Sequence, residues 1–219
     1  MARYPVDARN SLRQQSNHGS YERDAVHAVL DAGLVAHVGF VSDGQPFVMP
    51  MLHAREGETL LLHGARRARI VRLLESGAPL CVNVTLLDGI VAARSAFNSS
   101  LNYRSATVFG TARLLDDPAE RLRALETISE RVLPGRWQEL RAPTAQELAA
   151  TGVLAVHIES ASAKIASGPP EDEESDYSLP VWAGVVPIVT RLGRPRPDDR
   201  VPPGVPMSAA VAALGSRRP

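Results

Sequence analysis

Three arginines stand where a strand-like run gives way to a helix-like one, in LLHGARRARIVRLL, residues 61–74. The first turn of a helix exposes unpaired backbone N–H groups, so an anion is stabilised there. Arg66, Arg67 and Arg69 would oppose the helix dipole at that place unless a phosphate lay between them and the N–H groups. The alternative is a solvated basic turn, and these residues alone leave both interpretations open.

A second polar cluster interrupts the apolar pattern in RSAFNSSLNYRSATVFG, residues 94–110. Arg94 ends one apolar run and Arg104 lies near the start of the next, with serines and asparagines between them. A guanidinium group in such a place needs a partner, because an unpaired buried charge is costly. The partner could be a carboxylate, such as Asp88 or Glu159, or a bound ligand.

Proline and histidine supply the other candidates for a site. Pro50 lies inside the strand-like run QPFVMPML, where it marks an edge, a bulge or a backbone stretch that faces a flat ligand. His37, His53 and His63 fall in neighbouring predicted strands. Their spacing is not diagnostic, so we expect core or pocket histidines and no metal.

The composition excludes several classes of protein. The 219 residues carry 24 basic and 24 acidic side chains, which gives no electrostatic case for binding nucleic acid or a membrane. Cys81 is the single cysteine, so an internal disulfide and a multi-cysteine zinc site are excluded. The sequence has neither an apolar signal core nor a stretch that could span a bilayer, and we expect a cytoplasmic protein.

Strand-like runs dominate the elements that must position these residues. They are LVAHVGFVS, QPFVMPMLHA, TLLLH, PLCVNVTLL, IVAAR, NYRSATVFGTARLL and VLAVHIE, the last of which we expect to be the final core strand. Asp43-Gly44 and Asp88-Gly89 each separate two of these runs. Asp-Gly favours a tight hairpin because glycine tolerates positive φ.

Helical spacing predicts only short helices. One follows a Ser20 cap and ends at Gly33, and another follows the arginines and ends at Gly77. Two more start at the cap-like sequences 117–120 (DPAE) and 144–147 (TAQE).

Hairpin-connected strands without β–α–β alternation indicate a mainly β (α+β) fold, an antiparallel barrel of six or seven strands with flanking short helices. We expect an N-terminal arm over residues 1–19 and the barrel domain over 20–168. Residues 169–219 are expected to form a C-terminal extension with acidic and Pro-rich segments.

The combination resembles the pyridoxamine-phosphate-oxidase-related flavoproteins of the FMN-binding split-barrel superfamily, in the branch that contains the nitroimidazole-resistance proteins. The resemblance covers roughly residues 20 to 190. It is carried by DGQPFVMPML, LLHGARRAR, CVNVTLLDGIVAARSAF, NYRSATVFGTARLL, LPGRW, APTAQEL, ASAKIASGPPEDEESDY and LPVWAGVVP.

The resemblance implies a homodimer with FMN at its interface and a small-molecule substrate. The backbone around Val48, Met49 and Pro50 would face the isoalloxazine ring, with His63 and Gly64 beside the ribityl chain and the ring. The turn holding Ala68 and Arg69, helped by Arg66 or Arg67, would bind the phosphate. Arg104 and Ser105 would hydrogen-bond the ring. The segment near 177–190 would pack on the dimer, and its Trp182 would close over the partner's pocket.

Two positions depart from the family pattern. Relatives usually carry serine where this chain has Ala68, whose side chain cannot bond a phosphate. They also commonly carry two histidines where this chain has Asn98 and Ser99. The predicted loop therefore belongs to a site whose usual reactive groups are replaced by neutral ones, and FMN would be held less tightly.

The function that the resemblance implies is an FMN-dependent oxidoreductase. Electrons would pass from a reduced nicotinamide to a small electron-poor acceptor, such as a nitro compound, with His63 and Arg104 as candidate catalytic residues. The alternatives are a flavin carrier or sensor without turnover, and a heme-binding split-barrel protein in which His63, His37 or His53 is the axial ligand. Deazaflavin is a further candidate cofactor.

Overall fold

The computed structural model describes residues 2–214. Its strands are β1 Gly19–Ser20, β2 Val35–Ser42, β3 Gln45–Glu56, β4 Thr59–Ala65, β5 Pro79–Ala92, β6 Ser100–Leu114, β7 Thr151–His157, β8 Ser160–Ala166 and β9 Gly184–Pro187. Its helices are α1 Arg23–Ala32, α2 Arg69–Leu74, α3 Pro118–Val132, α4 Ala145–Ala150 and α5 Ala209–Leu214. Within this part of the chain, no helix combines the length and the apolar character needed to cross a bilayer.

The strands form one mostly antiparallel sheet in the order β1-β8-β6-β7-β4-β3-β2-β5-β9. β6 also pairs with β5, so the hydrogen bonding runs from β6 through β7, β4, β3, β2 and β5 back to β6. Such a ring of strands with a few short helices confirms the predicted split-barrel fold. VLAVHIE, which we expected to be the final core strand, forms most of β7, and two further strands, β8 and β9, follow it.

The chain divides into two compact units. The first combines the chain up to Met51 with Pro79–Thr111 and His157–Val189. Helix α1 packs against β5 and β8 within this unit. The buried side chains of α1 and β2 follow the helical and two-residue periods of their sequences, and they are Val26, Val29, Leu30, Ala36, Val38 and Phe40.

The N-terminal segment is held to the first unit by buried polar contacts. Tyr4 is 2% exposed, and its hydroxyl lies 2.8 Å from Nε2 of His27. The amide of Asn10 donates to the carbonyl of Ala161 at 3.1 Å. The expected division into arm, barrel domain and extension stays a prediction, and Met1 and residues 215–219 lie outside the described residues.

The second unit combines Leu52–Ala78, Ala112–Val156 and the chain from Thr190 onward. Helix α3 packs against β4 there. The buried cluster between helix and strands is Ala54, Leu61, Leu115, Ala124, Ile128, Val153 and Ala155.

Side-chain caps start two helices of the second unit, as the sequence predicts. Asp117 accepts from the N–H groups of Ala119 and Glu120 at the start of α3. Thr144 and Glu147 form a complete capping box at α4. The part of this unit that follows Thr190 is tied to Glu139, whose carboxylate accepts hydrogen bonds from the Ser208 hydroxyl and from the Ala210 N–H.

The prediction of a turn at Asp88-Gly89 is wrong. PLCVNVTLL and IVAAR belong to one strand, β5, in which Leu87 faces Tyr103 and Gly89 faces Asn102. Asp88 is thus the extra residue of a β-bulge. The chain does not reverse here because β5 is paired along the bulge with β6 and, from Gly89 onward, also with β9.

Two predicted helix boundaries also need correction. Ser20 is not the cap of α1, because its backbone belongs to β1 and faces Ala163 of β8; the N-cap is Glu22, which makes no side-chain cap bond. α2 begins at Arg69 and ends at Leu74, so it is shorter than predicted, and Gly77 follows with a φ of 79°. The hairpin at Asp43-Gly44 and the helix end at Gly33 are confirmed.

Candidate functional site

Strand β3 carries exposed apolar residues in its part that belongs to the first unit. Val48 is 67% exposed, Met49 is 40% exposed, and Pro50 is also exposed. Large apolar side chains in consecutive exposed positions are uncommon unless they contact a ligand or a partner chain. Successive side chains of a strand alternate between its two faces, so Val48 and Pro50 share one face of β3, on which a flat molecule can lie, and Met49 is on the other.

Arg104 is held by a carboxylate in the first unit. Its Nη2 and Nε donate to the two oxygens of Asp88 at 2.7 Å and 2.8 Å. The guanidinium holds the pKa of the Asp88 carboxyl below its ordinary value of 3.8, chiefly through these hydrogen bonds. The β-bulge positions Asp88 for this contact, so the carboxylate expected as one possible partner of Arg104 is confirmed. The Arg104–Asp88 pair as a whole therefore carries no net charge.

Ser105, the next residue on β6, has a weaker contact. Its hydroxyl lies 3.5 Å from the carbonyl of Lys164 on β8, at the limit for a hydrogen bond. The Ser105 hydroxyl is therefore available to a better acceptor.

The second arginine of the polar loop is paired with the C-terminal segment of the first unit. Arg94 donates to Asp172 from Nη1 at 3.0 Å and from its backbone N–H at 2.8 Å. Its guanidinium also lies 4.9 Å from the centre of the Tyr177 ring. These contacts fix the start of the loop to the acidic run that follows β8.

Hydrogen bonds within the loop itself give it a defined shape. The Ser99 hydroxyl donates to the Ser95 carbonyl at 2.8 Å and accepts from the Ala93 N–H at 3.2 Å. The Ser95 hydroxyl accepts from the Asn98 N–H at 3.1 Å. The serines are thus used to fold the loop, while the side-chain amide of Asn98 makes no hydrogen bond to any described residue.

Beside this loop lies a polar cavity of about 330 Å³. It belongs to the first unit and is lined by Gln15, His18, Val91, Phe97, Asn98, Ser99, Ser100, Leu101, Asn102, Tyr103, Ala166, Ser167, Pro169 and Glu171. Phe97, at the tip of the loop, is 93% exposed. Nδ1 of His18 is buried without a hydrogen-bond partner among the described residues.

Trp182 belongs to the same unit and is 69% exposed. A Cβ at Gly184 would lie 3.0 Å from the indole ring, so the ring rests against the start of β9. Such exposure of a large aromatic side chain is consistent with the predicted contact to a partner subunit, which stays a prediction.

In the arginine-rich turn of the second unit, at least one of the three arginines has a carboxylate partner, and a phosphate contact of the turn stays a prediction. Nη1 of Arg66 pairs with the Glu75 carboxylate at 2.7 Å. Arg66 and Arg67 precede α2, whose N-cap is Ala68, and the cap makes no side-chain hydrogen bond. The Ala68 N–H donates to the Ala65 carbonyl at 2.8 Å, which closes the turn.

The backbone of this turn lies against Gly152 at the start of β7. The Arg66 N–H donates to the Ala150 carbonyl at 2.8 Å. A Cβ at Gly152 would lie 2.7 Å from Cγ1 of Val71 and 3.4 Å from Cα of Arg66. Only glycine allows this approach without a shift of the neighbouring atoms.

His63 lines a cavity of about 300 Å³ in the second unit. The other lining residues are Leu52, Leu125, Ile128, Ser129, Val132, Leu133 and Arg136. Burial lowers the pKa of His63 below its ordinary value of 6.5, and its Nδ1 is buried without a hydrogen-bond partner among the described residues. A neutral imidazole in an apolar cavity is suited to ligate a metal or to accept a proton.

His53 and His63 point to opposite faces of the β3–β4 pair. His53 faces Leu62 in the register, so His63 is a neighbour of Leu52, and successive side chains alternate between faces. His53 is 1% exposed, while His37, in the first unit, is exposed. The structure therefore places His53 and His63 on opposite faces of this strand pair, and no group of three metal-ligating side chains occurs in the residues described.

Comparison with known proteins identifies the family. The model of the pyridoxamine 5'-phosphate oxidase family matches residues 22–165, about two thirds of the chain. The chain belongs to this family.

Two solved structures of similar proteins extend over nearly the whole chain of this family member. The flavocytochrome Anf3 from Azotobacter vinelandii is 39% identical, with a TM-score of 0.91, and the match covers 95% of this chain and 97% of that one. The FAD and heme binding protein from Mycobacterium smegmatis is 40% identical, with a TM-score of 0.86, over 90% of this chain and 97% of that one.

A third structure shows the same fold at greater distance. A 5-nitroimidazole antibiotic resistance protein from Bacteroides thetaiotaomicron, described as putative, is 18% identical, with a TM-score of 0.58, over 67% of this chain and 86% of that one. No curated protein matches the chain. The resemblance stated from the sequence is confirmed at the level of family and fold.

The predicted flavin-binding residues of this pyridoxamine 5'-phosphate oxidase family member divide between the two units. Val48, Met49, Pro50, Arg104, Ser105 and Trp182 lie in the first unit, and His63, Gly64, Arg66, Ala68 and Arg69 lie in the second. Their contacts to a flavin stay predictions.

Sequence reasoning missed three partners of the arginines. Asp172 and Tyr177, which contact Arg94, lie in an acidic and aromatic run whose individual residues the sequence does not distinguish. Glu75, which pairs with Arg66, follows it by nine residues across a short helix. The presence of an acidic residue at the end of α2 was the available signal.

Proposed function

We propose that this protein binds a flavin and a heme and acts as an oxidoreductase that transfers electrons between a reduced nicotinamide and a small acceptor. The observation that carries the proposal is the 39–40% identity, over at least 90% of the chain, to a flavocytochrome and to an FAD and heme binding protein. Identity at this level over nearly the whole length supports a similar set of cofactors.

The second unit favours FAD over the FMN that the sequence resemblance implies. FMN ends in a phosphate monoester, which needs charged and hydroxyl donors. Ala68 offers no hydroxyl, and Arg66 is occupied by Glu75 at 2.7 Å. The phosphates of FAD are diesters with less charge on each, so the loss of these two donors weakens FMN binding more than FAD binding.

The His63 cavity fits the edge of a heme. Most of its lining side chains are apolar, which suits a porphyrin ring, and the Arg136 guanidinium at its edge is paired with the Glu139 carboxylate at 2.7 Å. The buried Nδ1 without a partner and the lowered pKa describe an imidazole that is neutral near pH 7, the form that ligates iron. We therefore assign His63, rather than His37 or His53, as the axial ligand.

Bound flavin would supply hydride acceptance and one- or two-electron transfer, and bound heme would supply one-electron transfer. The residues of this chain would bind and orient these groups. Val48 and Pro50, which share one face of β3, would provide an apolar surface for the ring, while the pairing of Arg104 with Asp88 keeps the net charge of that pair at zero. The Ser105 hydroxyl is available as a hydrogen-bond donor.

We further propose that the functional form is a homodimer. Apolar side chains at exposed positions on β2, β3 and β5 of the first unit support it, and they are Val35, Val41, Val48, Met49, Leu87 and Ile90. The small acceptor is proposed to be an electron-poor compound such as a nitro compound.

The test begins with the absorption spectrum of the protein after reconstitution with FAD, FMN and hemin and removal of unbound cofactor. We expect retained FAD, weaker retention of FMN and a heme Soret band. His63→Ala should abolish the ordinary Soret band and leave FAD bound, while the exposed-histidine control His37→Ala should leave both unchanged. Retention of neither cofactor would refute the proposal, and retained flavin without oxidation of NADH would favour a carrier.

A further inference from the structure

We propose that the polar cavity beside the loop tip of the first unit binds an adenosine moiety, with Phe97 stacking on the base. The proposal rests on the proposed function, because the adenosine would belong either to FAD or to a nicotinamide dinucleotide that reduces the flavin. The sequence resemblance assigns the loop of Asn98 and Ser99 to the site, but it implies no flavin contact for any other residue of this cavity.

The size and shape of the cavity suit part of a nucleotide. Its volume of about 330 Å³ falls at the lower end of the range for small-molecule sites. The loop that forms one wall is held in shape by the Ser95–Ser99 hydrogen bonds and by the pairing of Arg94 with Asp172. A site with a prefolded wall loses less conformational entropy when it binds a ligand.

The aromatic side chain at the cavity rim points to a flat ligand. Phe97 is 93% exposed, which is unusual for a phenylalanine, and no described residue stacks on its ring. Exposed aromatic rings beside a polar groove are the usual platform on which a base stacks. Val91 and Leu101 line the cavity as well and can contact the sugar or the edge of the base.

The polar lining selects the class of ligand by its charge. The cavity carries side-chain amides, hydroxyls and an imidazole, with neither Arg nor Lys among its described lining residues. Such a lining has no cation for a phosphate, but its donors and acceptors match the ring nitrogens and amino group of adenine and the hydroxyls of ribose. The amide of Asn98 and the amide of Gln15 make no hydrogen bond to described residues and are available to a base.

Glu171 is the charged residue of the lining and adds a second constraint. A carboxylate accepts hydrogen bonds from the 2'- and 3'-hydroxyls of a ribose, as in dinucleotide-binding folds, and repels a 2'-phosphate. If the adenosine belongs to the reductant, the carboxylate thus favours NADH over NADPH. The buried Nδ1 of His18, which lacks a partner among the described residues, lies in the same lining and can be satisfied by the ligand directly or through water.

The test compares Phe97→Ala with the wild type in three binding or kinetic measurements. The first is calorimetric binding of AMP to the purified full-length protein, the second is the affinity for FAD against that for FMN, and the third is the KM for NADH. Loss of the stacking ring should weaken adenosine binding by about tenfold. Phe97→Tyr keeps a ring and should restore affinity, while Val6→Ala, an exposed change outside the cavity, should have no effect.

The outcomes separate the two sources of adenosine. Weaker FAD binding with unchanged FMN binding assigns the cavity to FAD, whereas a higher KM for NADH with unchanged FAD binding assigns it to the reductant. If Phe97→Ala changes none of the three measurements, the proposal is overturned. AMP binding that depends on Phe97 in a protein retaining neither flavin nor heme would support the cavity assignment while refuting the proposed function.

Discussion

The Arg104–Asp88 pair shows how one extra residue in a strand redirects a charged side chain. Asp88 is the bulged residue of β5, and both of its oxygens accept from Arg104. A bidentate pair of this kind has well-defined geometry, although its partial exposure limits its contribution to stability. The pair therefore orients Arg104 more than it stabilises the fold.

Asp88→Asn is expected to lower the free energy of unfolding at pH 7 by no more than about 1 kcal/mol. The hydrogen bonds to Arg104 hold the pKa of Asp88 below 3.8, so the carboxylate stabilises the folded state above the unfolded-state pKa. That contribution is lost as the pH falls through the folded-state pKa. Urea unfolding of both proteins at pH 7 and at pH 3 measures it, and a difference that grows at pH 3 would contradict the assignment.

The buried imidazole of His63 predicts a second pH dependence of stability, which arises from desolvation and not from an ion pair. Burial lowers its pKa in the folded state below 6.5, so below that pH the unfolded chain binds a proton that the folded chain does not. The cofactor-free protein should lose stability as the pH falls from 7 towards 5. His63→Gln should show a smaller loss, measured by thermal unfolding, and the exposed-site variant His37→Gln should behave as the wild type. Equal loss in all three proteins would rule out this origin.

At the scale of the elements, the close contact between β7 and the arginine-rich turn is possible because Gly152 has no side chain. Gly152→Ala would place a Cβ 2.7 Å from the buried Val71 and 3.4 Å from the backbone of Arg66. We expect a destabilisation of about 1–3 kcal/mol and a displaced turn. Gly193→Ala is the matched control because nothing lies within 4 Å of its added Cβ. Chemical denaturation compares them, and equal stability would refute the close contact.

Two identical dipeptides show what local sequence can and cannot predict about elements. Asp43-Gly44 forms the predicted hairpin, with φ of 51° and 74°. Asp88-Gly89 continues a strand, because β6 pairs with β5 on both sides of the bulge and β9 pairs with it from Gly89 onward. The local preference for a turn is the same at both dipeptides, and pairing with distant strands determines which of them forms a turn. Caps, by contrast, are local, and those at Asp117 and Thr144 were predicted correctly.

On the scale of the whole molecule, exposed apolar strands support the proposed homodimer. We expect the wild type to sediment near twice its chain mass of 23.5 kDa. Val48→Lys places a charge on a side chain that is 67% exposed and should shift the protein to monomer, because an unpaired charge is costly in a buried interface. Val205→Lys, on a residue 54% exposed in the second unit, should leave the mass unchanged. A monomeric wild type would refute the homodimer.

The candidate site was predictable in its residue types but not in its pairing. The sequence indicated that Arg104 needs a partner and included Asp88 among the candidates. It could not choose Asp172 for Arg94, because the acidic run offers several equivalent carboxylates and the choice depends on where the chain returns after β8. The two units interleave three segments each, so their site residues are separated in sequence by distances that no local pattern encodes.

The hydrogen bonds of Glu139 to Ser208 and Ala210 form a clamp on the chain after Thr190, and this clamp has a consequence for proteolysis. The Ser208 hydroxyl, Arg136 and the Ala210 N–H stabilise the carboxylate and lower its pKa to about 2, so the clamp persists through mild acid. Glu139→Ala removes the acceptor of two bonds to the segment, and a protease should then cut the chain between Pro195 and Ser208 faster than in the wild type. The Pro-rich segment would thus be protected from digestion by a single acidic side chain some seventy residues upstream.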